Sequence, residues 1–508
     1  MHSTATLFAI LAGVATVAHA ADAPQPKVVA LPFSRTKKKA SQLPPLSRRE
    51  NFQLELGIDK ERLGYNVNVT VGTPPQRVQL VIDTGSSDTW VPDRLSDVCK
   101  RTGCKYGVFE RKLSSTFEEL SARGKFSIGY EDGTEVGGKY FSDTINMGGL
   151  NMTHMIMALG TNITGAENSP EVQGGVMGIG YKTGESIVET NPGKIYANVP
   201  AELLQQGHIS SLAYSLWLNH DDAKFGNILF GGVDTEKYQG DIIAVPIVRS
   251  SDTGLYDKLT VALSGLAVTE KSGKKVYDRQ DLAVPAVLDS GSTITSLPDD
   301  LATRILHGVG AAKIGGIWAV SCALGSQGAS INFSFGGANG PTIAVPFEDL
   351  LVPFASLPNV PQQFKGLKKA PACILGIGKA GNGPVILGDS FLRSAYVVYD
   401  LHKNIIALAP TKPHANNSHV QEITNSSIPG VTATAKGVDV ASYSPSVNTS
   451  YTSALPTFDF GMAAQKELDA VVGLATGQLP PQIPLQLMMS GVAIVFAGLF
   501  GGSLMVLW

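Results

Sequence analysis

The sequence has few charged residues and no strong net charge. Asp, Glu, Lys and Arg make up 16% of its 508 residues, and the formal net charge is −3. A chain without a strong basic field lacks the long-range attraction that nucleic acid requires, so we expect no nucleic-acid partner. Aromatic residues are modest at 7%, whereas the chain contains 55 glycines and is 43% hydrophobic. This mixture is typical of a β-rich fold with many turns, and the length suits two or three domains or one bilobal body.

Cysteine is also scarce. The chain has only Cys99, Cys104, Cys322 and Cys373, and no CxxC or HxxxH pattern accompanies them. We therefore expect no metal site. In a secreted chain, an even and sparse set of cysteines predicts two disulfides. Cys99–Cys104 would close a small loop and Cys322–Cys373 a long one.

Long apolar runs occur only at the ends of the chain. The first, Leu7 to Val17, ends at Ala18-His19-Ala20. This pattern predicts a secretory signal over residues 1–20, with a buried N-terminal helix as the alternative. Residues 21–49 are Pro-rich and basic and end in a dibasic pair. We predict a propeptide cleaved near Arg49, with a disordered basic arm as the alternative.

The C-terminal end combines a polar segment with a second apolar run. Residues 411–487 are rich in Ser, Thr and Asn and predict a solvated, glycosylated stalk and spacer. Residues 488–508 are 21 uncharged residues, long enough to cross a bilayer. No Lys or Arg flanks them, and small residues precede them. We therefore predict a glycosylphosphatidylinositol (GPI) signal attached at Gly473 or Ala475, with a transmembrane span as the alternative.

Seven N-x-[ST] sequons predict N-linked glycans if the chain is secreted. The acceptor residues are Asn68, Asn151, Asn162, Asn332, Asn416, Asn425 and Asn448.

The chain between residues 50 and 410 alternates short Val-, Ile- and Leu-rich runs with Gly, Asn and Asp turns, which predicts mainly antiparallel β-structure. This region also repeats itself. The motif at Asp83, "VIDTGSS", is echoed by "VLDSGST" at Asp289, 206 residues later. An apolar segment ending in Gly follows each motif, in "GGVMGIG" and "GPVILGD". We predict two lobes of one plan, over residues 50–240 and 241–410.

An Asp between an apolar strand and a Gly-Ser turn lies at the edge of a dry environment, where its charge is costly. Two such acids side by side would share one proton, so one acts as base and the other as acid on a water that attacks a peptide carbonyl. This chemistry needs no metal, cofactor or covalent intermediate. The residues that follow the two aspartates are expected to support them. Gly85 and Gly291 allow close approach of the backbone. The hydroxyls of Ser86 and Ser292 bind the outer carboxylate oxygens, and Thr84 and Ser290 connect the two loops.

These motifs resemble the two active-site signatures of pepsin-like aspartic proteases. The resemblance covers about residues 60–410 and includes "VTVGTPPQ" and "VILGDSFLRSAYVVYD". It implies an all-β (mainly) bilobal fold with a central cleft and few short helices. It also implies protein or peptide substrates and a monomer. The alternatives are a binding protein of the same fold that has lost catalysis, and a structural wall mannoprotein.

The resemblance further implies a flap, a β-hairpin that closes over substrate. The matching stretch is "FSIGYEDGTEVGG", with Tyr130 as flap tyrosine, Gly133 and Thr134 near the tip, and Trp90 as the hydrogen-bond partner of Tyr130. The family often has Gly after the tyrosine, whereas this chain has Glu131 and Asp132.

The acidic flap residues, which include Glu135, favour binding of Lys or Arg in the substrate; the alternative is a solvated tip without a role in selection. The acidic flap, signal, stalk and apolar tail together resemble the fungal yapsin subgroup. That subgroup implies surface anchoring and, in fungi, cell-wall glucan as a further partner. The zymogens of the family imply that a propeptide Lys within 35–39 covers the acid pair at neutral pH.

Overall fold

The computed structural model describes residues 26–34, 57–59, 64–130, 133–165, 174–220, 222–223, 225–314, 317–356, 371–441, 443 and 454–461. The predicted signal, the Arg49 junction, Glu131, Asp132, Asn448, the two GPI attachment candidates and the apolar tail lie outside these residues. Among the helices that the structure describes, none is long and apolar enough to cross a membrane.

Most of the described chain is β-strand, as the sequence predicts. The strands, numbered in chain order, are β1 (Val29–Ser34), β2 (Gly57–Asp59), β3 (Gly64–Val71), β4 (Gln76–Asp83), β5 (Thr89–Pro92), β6 (Glu118–Glu119), β7 (Lys125–Gly129), β8 (Glu135–Met147), β9 (Leu150–Thr164), β10 (Val176–Gly178), β11 (Ala213–Trp217), β12 (Phe225–Phe230), β13 (Gly232–Asp234), β14 (Ile242–Pro246), β15 (Thr260–Thr269), β16 (Lys275–Arg279), β17 (Val284–Leu288), β18 (Thr295–Leu297), β19 (Ala312–Ile314), β20 (Ile317–Ser321), β21 (Ser330–Phe335), β22 (Thr342–Pro346), β23 (Leu351–Pro353), β24 (Ala372–Leu375), β25 (Ile377–Lys379), β26 (Val385–Leu387), β27 (Ala395–Asp400), β28 (Ile405–Pro410), β29 (Val420–Glu422) and β30 (Val431–Thr434).

Helices are few and short. The α-helices are Asp97–Thr102, Ile187–Thr190, Val199–Gln205, Asp299–Gly308 and Asp389–Leu392; the 3₁₀ turns are Arg111–Leu113, Ser121–Arg123, Lys182–Gly184, Pro192–Lys194, Cys322–Gln327, Phe347–Leu350 and Phe354–Ser356. The helix Val199–Gln205 follows an Asn198 side chain that accepts the Ala201 amide, and Pro200 lies in its first turn. Capping and proline at this end are the signals that predict a helix start.

Three large sheets, one in each lobe and one that takes strands from both halves, are accompanied by a four-stranded sheet of β19, β20, β24 and β23 and a two-stranded sheet of β13 and β29. A nine-stranded sheet holds β2 to β10, and an eight-stranded sheet holds β15 to β18 with β21, β22, β25 and β26. A seven-stranded sheet runs in the order β1-β12-β11-β27-β28-β14-β30, so it takes strands from both halves of the chain. The alternation in β3 shows why these runs are strands: Val67, Val69 and Val71 are buried, and the residues between them are partly exposed.

The internal repeat of the sequence is also a structural repeat. In the first lobe β10 runs parallel to β4, with Gly178 opposite Asp83, and antiparallel to β5. In the second lobe β26 runs parallel to β17, with Leu387 opposite Leu288, and antiparallel to β18. Each apolar-Gly segment therefore supports the strand that leads into an Asp motif.

The ordered body extends beyond residue 410, where the sequence predicts a solvated stalk. Strand β29 pairs with β13, and β30 pairs with β14. Ile423, Ile428 and Ala435 are buried, and Phe458 is only 1% exposed. The stalk prediction is therefore corrected for residues 411–441 and 454–461, because a few apolar residues and unpaired strand edges suffice to order a polar segment.

Part of the predicted propeptide is also ordered. Strand β1 forms the edge of the seven-stranded sheet, pairing antiparallel with β12 from Val29 opposite Phe230 to Ser34 opposite Phe225. Val29 and Leu31 are buried. Residues 29–34 are therefore part of the folded body of the full-length chain.

The cysteines form the two expected disulfides. Cys99 is bonded to Cys104 beside the helix Asp97–Thr102, and Cys322 is bonded to Cys373, which connects a 3₁₀ turn to β24.

Candidate active site

The two motif aspartates lie at equivalent places in the two lobes. Asp83 is the last residue of β4, and Asp289 directly follows β17. Both strands are buried at these ends, through Ile82 and Leu288. The strands therefore bring each carboxyl group out of an apolar interior at a tight turn.

The two loops are joined by reciprocal hydrogen bonds across the lobe boundary. Thr84 Oγ1 accepts the Ser290 amide and donates to the Leu288 carbonyl, both at 2.8 Å. Ser290 Oγ donates to the Ile82 carbonyl at 2.8 Å and accepts the Thr84 amide at 3.2 Å. Because both side chains are buried, each lobe fixes the position of the other loop.

Each carboxylate is also held within its own loop. The amides of Gly85 and Gly291 donate to the inner oxygens Oδ1 of Asp83 and Asp289, both at 2.8 Å. The Ser86 hydroxyl donates to Asp83 Oδ2, and the Ser292 hydroxyl donates to Asp289 Oδ2 at 3.0 Å. The two sets of bonds match, so the pair is held symmetrically.

The glycines explain how the carboxyl groups come so close. A Cβ atom built on Gly85 would lie 2.6 Å from the Asp289 carboxyl carbon. A Cβ atom built on Gly291 would lie 2.5 Å from Asp83 Oδ1. Each loop therefore packs against the opposite aspartate, and any side chain at these positions would separate the pair.

The environment favours a proton on the pair. Burial raises the pKa of Asp83 well above its usual range, and the nearby Asp289 carboxylate raises it further. The Ser86 hydroxyl and the Gly85 amide lower the pKa of Asp83 by smaller amounts. Burial and the neighbouring carboxylate therefore both favour the protonated form of Asp83.

The predicted flap is a hairpin of β7 and β8. Trp90 Nε1 donates to the Tyr130 hydroxyl at 2.7 Å, and Trp90 is fully buried in β5. The turn is closed by the Tyr130 amide, which donates to the Thr134 carbonyl at 2.8 Å, and by Gly133, whose amide donates to the Tyr130 carbonyl at 3.0 Å. Thr134 is buried, and Glu135 at the start of β8 is exposed.

A third buried acid near the pair is not predicted by the sequence analysis. Asp389 lies in "VILGD", and its Oδ1 has no hydrogen-bond partner among the described residues. Burial raises the pKa of Asp389 well above its usual range, with a further contribution from Asp289. The position of this Asp directly after a predicted buried strand is the signal that could have identified it.

A second group of buried acids lies behind the first loop. The Tyr196 hydroxyl donates to Asp88 Oδ1 at 2.6 Å, and the Tyr196 amide donates to Glu185 Oε2 at 3.1 Å. Burial raises the pKa of Glu185 to about 9 and raises that of Asp88. Short sequence patterns do not predict this group, because Glu185 and Tyr196 are distant from Asp88 in sequence.

Facing Asp-Thr-Gly and Asp-Ser-Gly loops, joined across two similar lobes and accompanied by a tyrosine-bearing hairpin, define the aspartic endopeptidase class. Comparison with known proteins agrees with this arrangement. The family model of eukaryotic aspartyl proteases matches residues 64–411, and the chain belongs to this family.

Several similar proteins come from fungi. A probable aspartic-type endopeptidase OPSB of Trichophyton verrucosum is 36% identical over 431 residues, covering 82% of this chain and 84% of that protein. The aspartic proteinase yapsin-3 of Saccharomyces cerevisiae is 33% identical over 423 residues, covering 80% and 77% respectively. The crystal structure of an aspartic proteinase from Irpex lacteus superimposes with a TM-score of 0.55 at 22% identity, covering 71% of this chain and 98% of that one, which supports the fold. The chain is thus a pepsin-like aspartic endopeptidase of the yapsin-type fungal group.

Proposed function

We propose that this endopeptidase is secreted and surface-anchored, and that Asp83 and Asp289 hydrolyse peptide bonds at acid pH by sharing one proton. The observation that supports the catalytic proposal is the symmetric pair of carboxyls, each bonded to a Gly amide and a Ser hydroxyl. The pair, rather than either residue alone, is the functional unit.

In the proposed reaction, one carboxyl is ionised and the other is protonated. The ionised carboxylate takes a proton from water, whose oxygen attacks the peptide carbonyl carbon. The protonated partner gives its proton to the carbonyl oxygen, which yields a neutral tetrahedral diol. In the second step the C–N bond breaks, the amine nitrogen takes a proton from the pair, and one diol hydroxyl returns its proton to the pair.

Activity at acid pH is expected from the number of protons that the reaction needs. The reaction needs one proton on the pair, and that proton is lost as pH rises through the raised pKa of Asp83. Casein cleavage at about pH 4 by the purified protein after propeptide removal, with and without pepstatin, tests the proposal. We expect cleavage that pepstatin abolishes; cleavage unaffected by pepstatin, or no cleavage after propeptide removal, would contradict it.

We also propose a preference for basic residues in the substrate. The support is the sequence of the flap, in which Glu131 and Asp132 follow the tyrosine and Glu135 is exposed. Peptides with Lys or Arg before the cleaved bond should be cut faster than matched Leu or Phe peptides. A Glu131→Gln/Asp132→Ser variant should reduce that difference, and Glu118→Gln, outside the flap, should not. Equal or better cleavage of the apolar peptides by wild type would reject the preference.

Secretion through a signal at residues 1–20 and latency before cleavage near Arg49 are part of the same proposal. Cleavage near Arg49 would leave β1 paired with β12 but no longer covalently linked to the rest of the chain. The full-length precursor should be inactive at neutral pH, and terminal sequencing of the mature protein should find a new N-terminus close to residue 50. An active, uncleaved precursor at neutral pH would contradict latency.

For the C-terminus we propose GPI attachment at Gly473 or Ala475, which places the enzyme on the outer face of the plasma membrane or, after transfer, on wall glucan. Phosphatidylinositol-specific phospholipase C should release the activity from membranes. Retention of activity on membranes after treatment would favour a transmembrane tail.

We propose that glycans occupy the exposed sequons of the body. Asn151, Asn162, Asn416 and Asn425 are exposed. In contrast, Asn332 is half-buried and its Nδ2 donates to Thr269 Oγ1 at 2.7 Å, and Asn68 is half-buried and accepts from Gln79. Peptide mapping after deglycosylation should show higher occupancy at the four exposed sites than at Asn68 and Asn332.

A further inference from the structure

We propose that His220, Asp222 and His414 form a binding site for a divalent metal ion of the zinc type. The sequence analysis predicts no metal site, because His414 is distant from the other two in sequence and only the fold brings them together. The three side chains each offer one ligand atom, and these atoms all lie within 4.8 Å of one another.

The ligand atoms are close enough for small side-chain movements to bring them onto a single ion. Asp222 Oδ1 lies 2.6 Å from His220 Nδ1 and 3.4 Å from His414 Nε2. Ligands about 2.0–2.2 Å from a tetrahedral Zn²⁺ are roughly 3.3 Å apart. Binding would therefore move Asp222 away from His220 and draw together the three ligand atoms, which lie within 4.8 Å of one another. Asp222 is 65% exposed, so it has room to move.

The strongest support is a buried carboxylate on the far side of the His220 ring. His220 Nε2 lies 3.1 Å from Asp349 Oδ1, and the Asp349 side chain is only 11% exposed. Ser394 Oγ in turn donates to Asp349 Oδ2 at 2.9 Å. Metal-binding histidines commonly donate their second ring N–H to a carboxylate that is itself hydrogen-bonded, which fixes the tautomer and orients the ring. Asp349 thus holds the proton on Nε2 and leaves Nδ1 for the metal.

One buried side chain, that of Asn219, holds the backbone at both histidines. The Asn219 side chain is buried, and its Oδ1 accepts the amides of His220 at 2.8 Å and His414 at 2.9 Å. The loop that follows β11 and the loop that follows β28 are therefore fixed to each other before any ion binds. Such pre-organisation is what a metal site requires of its supporting residues.

The ligand types indicate the ion. Two imidazoles and one carboxylate suit Zn²⁺, whereas Mg²⁺ and Ca²⁺ prefer all-oxygen sites. A bound ion would link the seven-stranded sheet to Asp349 in the second lobe.

The test uses the purified full chain without a polyhistidine tag at pH 7.5. Isothermal titration with ZnCl₂ should show one ion per chain. Thermal unfolding with ZnCl₂ should show a rise in melting temperature, and MgCl₂ should produce neither effect. His414→Asn should weaken Zn²⁺ binding by at least about tenfold. Its matched control is His154→Asn, because His154 and His414 are both exposed and have similar left-handed φ angles of 57° and 56°. Asn tolerates this conformation, so both variants should fold.

Asp222→Asn should weaken binding in the same way, and Asp252→Asn, also exposed, should not. Absence of Zn²⁺ binding to the wild type at up to about 1 mM would overturn the proposal. So would equal affinity of the wild type, His414→Asn and His154→Asn proteins, which would show that the ion binds elsewhere.

Discussion

Thr84 and Ser290 form a reciprocal pair across the boundary between the lobes. Each hydroxyl accepts the other residue's amide, and each donates to a carbonyl of the opposite strand, at Leu288 and Ile82. The pair fixes the separation of the two aspartates, because Asp83 and Asp289 directly precede these residues in the chain. The geometry of the acid pair thus depends on two side chains that carry no charge.

Replacing Thr84 by Val removes the hydroxyl and keeps the shape. The Ser290 amide and the Leu288 carbonyl then lose a buried partner, so we expect the free energy of unfolding to fall by about 2–4 kcal/mol. We also expect kcat to fall at least about tenfold, since misplaced catalytic groups lose rate. Thr84→Ser, which keeps the hydroxyl, should retain most of both. Chemical denaturation and peptide kinetics measure the two effects; a Thr84→Val enzyme with unchanged kcat would contradict the positioning role.

The Ser86 hydroxyl sets the acidity of the pair. Its hydrogen bond to Asp83 lowers the pKa of that carboxyl. Removing it in Ser86→Ala should raise the pKa, so the shared proton is kept to a higher pH and the alkaline limb of the kcat/KM profile moves upward. Ser86→Thr keeps a hydroxyl and should leave the limb near its wild-type position. A downward or absent shift in Ser86→Ala would show that this hydroxyl does not stabilise the ionised form.

The buried Glu185 makes the free energy of unfolding fall as pH rises. Burial raises the pKa of Glu185 from its ordinary value of 4.5 to about 9. Below about pH 4.5 the folded and unfolded chains are both protonated at this residue. Between about 4.5 and 9 only the folded chain keeps the proton, so stability falls with rising pH, by up to about 1.4 kcal/mol per pH unit. Above about 9 this contribution no longer changes.

Glu185→Gln removes that titration while keeping a similar shape and an oxygen for the Tyr196 amide. We expect the variant to lose less stability than wild type between pH 5 and 8, measured as the midpoint of urea unfolding at each pH. Glu189→Gln, four residues later and exposed, should follow the wild-type curve. Parallel curves for wild type and Glu185→Gln would show that other groups carry the dependence.

The packing of Phe458 allows a direct test of the ordered body beyond residue 410. Its ring is buried against Gly308, and its amide donates to the Gly308 carbonyl at 2.9 Å. A Cβ atom at Gly308 would overlap the ring, so Gly308→Ala should cost about 1–3 kcal/mol in the wild type. Phe458→Ala should cost about 3–5 kcal/mol, and Leu255→Ala, at an exposed site, much less.

In the Phe458→Ala background, Gly308→Ala should cost nothing or stabilise, because the overlap is gone and Ala is the better helix residue. Thermal unfolding of the four proteins measures the cycle. Additive effects of the two substitutions would show that the 454–461 segment does not pack on this helix.

The sequence was sufficient for the local features of the site. The Asp motifs, the apolar strands before them and both disulfide pairs were predicted from the sequence. The Trp90–Tyr130 contact was also expected, from the family resemblance. In each case neighbouring residues or a familiar motif carried the signal.

Long-range packing was harder to predict from the sequence. The composition of residues 411–441 is polar, and only the fold reveals that Ile423 and Ile428 reach the core. Likewise Asp88 and Glu185 meet through Tyr196, and His220 meets His414, by chain paths that no short pattern encodes. These contacts depend on strand order and register, which single-sequence patterns do not determine.

The shared proton is tested most directly by the pH dependence of kcat/KM for one peptide substrate, measured for the mature enzyme and for Asp83→Asn and Asp289→Asn. The account predicts a bell-shaped profile for the wild type, with two apparent pKa values that belong to the pair, and a loss of at least about 100-fold in each variant. A variant that keeps near wild-type activity, or a wild-type profile governed by a single ionisation, would contradict it.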